Sequence, residues 1–442
     1  MPNPTEVAIY KRDGSLSLYT SYASARADAV DFDLIQIRAD LNETIILKDK
    51  VDIWIMPGVV IDYNPSAPGP TITDNNVDVE SNIYGMGIIQ NTRNNSSSLL
   101  NTILISNSNS KISIDCDLIE NESPGLTISC ISSNAAKFFL KCNNVFSKRG
   151  GAIFLNNNNS IININVTKIE TGLEGDFNTG STAVISRGSG FIKIDEILCR
   201  NLGHCISHRA GTITANIKKM TTINNRSGVI STVHLNQGDN NQKLILYFDE
   251  ISNLAGTNTS LCGIEVSQGT GIFIGRKVYS EILNDTEGAT IQIGGTSVKG
   301  FIKINEIISK NSGALVLNQF TSQILVISNY IEGNKTGDGG VIFSYDSANF
   351  VLKNATVRNV NSGSSVKGIG LFKNSGNGNI PNVAFQNVKI ISNGAIVYYN
   401  TSTPDIEIKN YGLIGNKDIE GNVMLKVGTA DNFVFIFSNE LT

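Results

Sequence analysis

The chain has 442 residues, with 35 lysines and arginines against 39 aspartates and glutamates, for a formal charge of −4. That balance argues against a basic nucleic-acid binder, which needs a concentrated cationic surface. The 40% hydrophobic content argues against a disordered chain. With 41 glycines and about 12% asparagine, the composition points to an architecture rich in turns.

In chain order, residues 1–10 are polar and carry Pro2 and Pro4, where a secretory leader needs an apolar run. Asp13 and Gly14 lie between two short β-prone runs, Val7–Tyr10 and Leu16–Tyr19, which predicts a hairpin. Residues 1–20 are accordingly read as an N-terminal segment with a possible attachment hairpin. Residues 21–30 (SYASARADAV) open on a serine cap and carry an apolar stripe, predicting one short helix that covers the first coil. Strand-like runs follow at Leu34–Ile37, 44–47, 51–56 and 59–61. Pro65, Pro68 and Pro70 mark one loop, and residues 94–98 (NNSSS) mark another. Residues 21–125 therefore read as the capping helix and the first irregular coils. No stretch reaches the length of a membrane helix.

From residue 126 to 442 one unit repeats about every 27 residues, as expected of a solenoid. A short alternating run, a polar turn, a second alternating run and an Asn/Gly punctuation make up the unit. Residues 151–170, 181–201 and 289–311 are examples. No gap holds the ten or more helical residues that an α/β crossover requires. The chain must then coil, with each turn stacked on the last. Val166, Ile194, Ile217, Phe248, Gly275 and Ile304 form one predicted inward column. Ile169, Ile197, Met220, Ile251, Val278 and Ile307 form another, three residues on. Between them lie two outward positions: Lys168 after Thr167, Asp195 and Glu196, Lys218 and Lys219, Asp249 and Glu250, Arg276 and Lys277, and Glu306 after Asn305. Their charges alternate from coil to coil, so stacking would make them a ladder that holds register. Beyond Glu306 the expected continuation is uncharged: Tyr330, Asn354, Asn387 and Asn410. Asn201, Asn224, Asn311, Asn334, Asn359, Asn393 and Asn416 are read as a punctuating asparagine ladder.

The six cysteines, Cys116, Cys130, Cys142, Cys199, Cys205 and Cys262, lie in apolar segments and read as small core residues. Cys199, His204, Cys205 and His208 have the residue types of a zinc site but not its spacing, so no metal and no cofactor is expected. His204 and His208 are read as surface residues beside a core cysteine, and Asp74, Asp78 and Glu80 as loop solvation. For glycan cleavage the loudest catalytic candidates are Asp195, Glu196, Asp249 and Glu250. The ladder reading gives these acids a structural task instead. Tyr398 and Tyr399 are adjacent, so one must face outward, which makes them carbohydrate-contact candidates. The β-prone run at 433–438 (FVFIFS) would leave an open final coil for a partner to cover.

The helix and the IQI, ETIIL, VDIWI and PGVVI segments of residues 22–61 resemble the opening of pectin-lyase-like right-handed parallel β-helix proteins. The repeats carry that resemblance over nearly the whole chain. It implies an all-β right-handed parallel β-helix with a short N-terminal capping helix. Among the proteins of that superfamily, the chain looks most like a tail fibre, spike or other virion-associated protein of a bacterial virus. The resemblance then implies a homotrimer, contacts with other virion or tail proteins, and a possible surface polysaccharide as ligand. The alternatives are a polysaccharide-degrading lyase or glycoside hydrolase, and a bacterial surface adhesin at the cell surface.

Overall fold

The computed structural model describes residues 6–63, 69–92, 101–122, 129–173, 182–201, 203–224, 230–235, 241–255, 261–281, 289–295, 298–318, 322–335, 340–345, 349–361, 369–372, 382–386, 388–391, 397–400 and 425–427. The fold is a parallel β-solenoid with about 27 residues per turn, 67% strand with one helix. It divides into two compact units, Met1–Ile217 and Lys218–Thr442.

In the first unit the hairpin forms as the sequence predicts. Strand β1 (Val7–Tyr10) pairs antiparallel with β2 (Leu16–Tyr19). Helix α1 (Tyr22–Asp28) follows, with the Ser21 hydroxyl accepting from the Ser24 amide. Its first amides also donate to the Glu43 carboxylate, Tyr22 at 2.6 Å and Ala23 at 3.2 Å. The helix buries Tyr22 and Ala25, and the Tyr22 hydroxyl reaches the Ile46 carbonyl at 2.8 Å. Strand β3 (Leu34–Ile37) belongs to the first coil, and β1 pairs with it antiparallel. The first coil therefore has its edge closed by a strand as well as its end covered by a helix, which removes an open template for pairing.

Beyond β3 the described strands pair in parallel. Asp52–Ile55 lies on β3, and Lys111–Asn121 lies against Lys137–Ser147, with Ile114 over Leu140 and Ile119 over Val145. The next layers are Gly151–Thr171 and Val184–Arg200. One local rule builds each layer. In Lys111–Asn121 the residues Ile112, Ile114 and Cys116 are buried, then the phase slips and Ile119 and Asn121 are buried. Two successive outward residues, Asp117 and Leu118, make the slip and turn the corner between two faces of the coil. The same slip separates Val166 from Ile169 and Ile194 from Ile197, and Ile164 pairs with Ile192 ahead of it.

The second unit repeats the pattern. Lys243–Ala255, Thr270–Ser280 and Lys299–Ser309 stack in parallel, placing Phe248, Gly275 and Ile304 in one column and Ile251, Val278 and Ile307 in the next. Every apolar member of the two predicted columns is buried. Each such side chain contributes about 1.5–3 kcal/mol when withdrawn from water, so the columns are the main stabilising feature.

The punctuating asparagines need correction. The buried polar column lies two residues after the second apolar column. It runs Asn91, Asn121, Ser147 and Thr171 in the first unit, and Asn253, Ser280 and Ser309 in the second. Small hydroxyls alternate with amides there because the column is inside, where volume is limited. Of the asparagines read as punctuation, Asn359 takes this buried position two residues after Val357 and donates to the Lys335 carbonyl at 3.1 Å, whereas Asn201 adopts φ +71°. Asn393, Asn410 and Asn416 lie outside the described residues. The uncharged continuation of the ladder is also out of register. Tyr330 stacks on Glu306, but Thr356, not Asn354, stacks on Tyr330, followed by Lys389. Asn354 falls out of place because the coil is already longer ahead of it: Lys299 pairs with Gln323, 24 residues on, but Gln323 pairs with Asn349, 26 residues on.

All six cysteines are free and buried, as read from the sequence. Burial pushes the Cys199 thiol up to about 11, and Thr171 donates to its sulfur at 3.1 Å. Among the described residues no helix is long and apolar enough to cross a membrane.

Candidate functional site

The charge ladder occupies the corner position. In the first unit Lys168 stacks on Glu196; in the second Glu250 stacks on Lys277 and Lys277 on Glu306. These pairings match the register read from the sequence. The ion pairs formed are more varied than a simple ladder. Lys168 reaches along its own strand to Glu170 at 2.9 Å. Glu250 takes Arg276 at 3.2 Å and the Ser252 hydroxyl at 2.9 Å. Lys277 lies 5.7 Å above the Tyr279 ring. Lys218 and Lys219 are exposed corner residues on Thr212–Asn224.

Of the catalytic candidates, Glu196 stacks on Lys168 and Glu250 on Lys277. Asp195 and Glu196 belong to the first unit, Asp249 and Glu250 to the second. Tyr398 and Tyr399 fall on the strand Val397–Asn400, paired with Gly370 and Leu371. Their side chains, like residues 433–438, lie outside the described residues.

Sequence reasoning missed what Asp74 does. It is buried, not a solvated loop residue. Its carboxylate accepts from the Ser106 amide at 3.0 Å, the Asn107 amide at 2.8 Å and the Ser110 hydroxyl at 3.2 Å, all on the following coil. It also accepts from the Asn76 amide at 3.2 Å. Asn75 and Asn76, at φ +50° and +60°, close a tight turn in which the Val77 amide donates to the Asp74 carbonyl. Comparable carboxylate clips join other coils: Asp62 accepts from the Thr92 amide at 3.1 Å, and Asp117 from the Asn143 amide group at 2.7 Å.

His208 is a second correction, being fully buried and not on the surface. A register shift between Ser186 and Arg187 interrupts the pairing of Val184–Arg200 with Ile206–Ala210, and the histidine is enclosed beside it. Its Nε2 lies 3.0 Å from the Gly211 carbonyl and its Nδ1 3.0 Å from the Ser186 hydroxyl. A carbonyl only accepts, so Nε2 carries the proton and Nδ1 accepts from Ser186. Burial holds this imidazole below its ordinary value of 6.5. An unfolded chain takes up the proton near 6.5, while the folded one does so only at lower pH. Between those two values the unfolded state binds more protons, so stability falls as pH falls and is unaffected by this group above that window. One proton sets a limit of about 1.4 kcal/mol per pH unit. Urea denaturation between pH 7.5 and 5 should show this loss, and His208→Asn should flatten it.

His204, on the same segment, takes the Thr182 hydroxyl as acceptor for its amide at 3.4 Å. Among the described residues no group of three or more His, Cys, Asp or Glu side chains is placed to hold a metal ion.

Beside His208 the outward surface of the first unit carries an open polar cavity of about 410 Å³. Asparagine amides tie its coils together. Asn134 donates to the Ser106 carbonyl at 3.3 Å, and Asn157 to the Asn134 carbonyl at 2.9 Å. This is a hydrogen-bonded asparagine ladder of the kind the sequence suggests, at a different turn. Arg187 lines the same cavity. Comparison of the chain with protein families, with curated proteins and with solved structures returns no match.

Proposed function

We propose that this chain is a structural component of a viral tail or fibre assembly, a pectin-lyase-like right-handed parallel β-helix that forms a homotrimer and contacts host surface glycans. The use made of the corner acids carries the reading. A glycan-cleaving pair needs two carboxyls facing one cleft, about 5–9.5 Å apart. Here Glu250 is engaged by Arg276 and Ser252, and Glu196 stacks on Lys168. The carboxylates Asp62, Asp74 and Asp117 likewise bind one coil to the next. Acidic groups spent on stacking suit a part whose task is to keep its shape. The polar cavity on the first unit supports the surface-contact element.

The test is incubation with host-surface polysaccharides, followed by reducing-end and unsaturated-product assays and by mass-resolved sizing. The expected result is retention of glycan without product, on a particle of three 47.6 kDa chains. Product release would instead favour a lyase or glycoside hydrolase. A gene position away from tail or baseplate genes, with glycan binding intact, would favour a surface adhesin.

A further inference from the structure

We propose that the polar cavity of the first unit binds an acidic saccharide, with Arg187 in its lining and Arg209 beside it on the next coil holding the carboxylate or sulfate group. The inference rests on the surface-glycan part of the proposed function and adds to it a place, a charge and two residues.

The arginines come together through a local irregularity. Ser186 pairs with His208, but the next pair is Arg187 with Ala210, so Arg209 is the extra residue of a bulge. Bulges re-aim side chains, and both arginines flank the same point on adjacent coils. The chain turns away immediately afterwards: Gly211, at φ +82°, comes so close to the preceding coil that a Cβ there would lie 2.2 Å from the Gly188 carbonyl oxygen. Below the pair, neutral His208 ties Ser186 to Gly211 and anchors the bulged strand.

The electrostatics are those of a site awaiting an anion. The Nε atoms of Arg187 and Arg209 are both buried and have no hydrogen-bond partner among the described residues. Burial first, and the Arg187 charge second, hold the Arg209 guanidinium below its ordinary value. The Arg187 charge reaches Arg209, and each Nε is buried without a partner, a costly arrangement in a chain with more acids than bases. An oxyanion at the terminal guanidinium nitrogens offsets the repulsion, because guanidinium pairs strongly with carboxylate and sulfate. The remaining lining indicates what carries that anion. Ser108, Asn156 and Asn158 present hydroxyl and amide groups, which suit the hydroxyls of a sugar. The cavity volume falls within the roughly 300–1,000 Å³ of small-molecule sites.

The experiment titrates the full chain with a uronate oligosaccharide, a sulfated oligosaccharide, their neutral counterpart and inorganic sulfate, by calorimetry at low and high salt. The acidic saccharides should bind at least tenfold more tightly than the neutral one, and less so in high salt. Arg187→Gln and Arg209→Gln should each lose about tenfold, and the double variant should no longer distinguish acidic from neutral. Because the change removes a repulsion, the double variant should melt no lower than the parent protein. A variant with both arginines replaced by lysine keeps the charge and should fall between the two, which tests the fork geometry if the glutamine pair folds poorly. Equal binding of acidic and neutral saccharides by the parent protein overturns the inference and leaves the glycan reading standing. Acidic-saccharide affinity unchanged in the double variant also overturns it. Sulfate stabilisation that the double variant loses, with no saccharide bound, upholds the arginine pair and overturns the saccharide ligand, and with it the glycan reading.

Discussion

Replacing Asp74 with alanine should destabilise the first unit by about 3–4 kcal/mol, a large loss for one polar side chain. The carboxylate accepts four hydrogen bonds, three of them from Ser106, Asn107 and Ser110 on the following coil. Bonds to a charged acceptor contribute more than neutral ones, and deletion leaves the donors without a replacement. The Asp74→Asn variant keeps one acceptor oxygen and should lose roughly half as much. Urea denaturation reads the total. Hydrogen exchange reads the location: the amides of Ser106 and Asn107 should exchange far faster in the alanine variant, while those of Gly151–Thr171 change little. Uniform acceleration along the unit, or none at Ser106 and Asn107, would show that Asp74 does not fasten these coils.

The fold was legible wherever a pattern repeats. The Asp13 and Gly14 turn located the hairpin, Ser21 marked the helix start, and the two columns three residues apart gave the register that pairs Lys168 with Glu196 and Glu250 with Lys277. Such features depend on local chemistry or on a period, and both are written along the chain. The stacked charges do not all bond across the coils, because Lys168 and Lys277 are long side chains with competing partners on their own strands. What was missed depends on depth and on exceptions to the period. Asp74 looks like any loop acid until the next coil closes over it. His208 looks like a surface residue when Cys205 is taken as the inward position, but Ile206 is the one that stacks on Val184, and His208, two residues on, shares its buried face. Asn354 missed the count because its coil has two more residues than the one before, inserted ahead of Asn349 where no apolar column marks them. The arginine pair is the product of the bulge that follows His208, and a bulge has no composition of its own, so the pair could not be found from spacing.

Gly275→Val should destabilise the second unit by about 2–3 kcal/mol, even though glycine is a poor strand residue and valine a good one. The cause is its stacked neighbour. Phe248 pairs with Gly275, which pairs in turn with Ile304, and a Cβ at Gly275 would lie 2.3 Å from Phe248 Cε2. The ring occupies the space that a side chain one coil on would need. Phe248→Val alone should cost about 2–3 kcal/mol, through lost burial and the cavity that remains. Together the two changes refill one volume with two medium side chains. The double variant should therefore be more stable than the sum of the singles implies, with a coupling of about 1–3 kcal/mol. Such coupling between residues 27 positions apart has no explanation in local propensity. It requires that the two coils lie directly over one another at this point. Strict additivity in a denaturant-unfolding cycle would separate Phe248 from Gly275, and the column that they share with Ile304 would have to be redrawn.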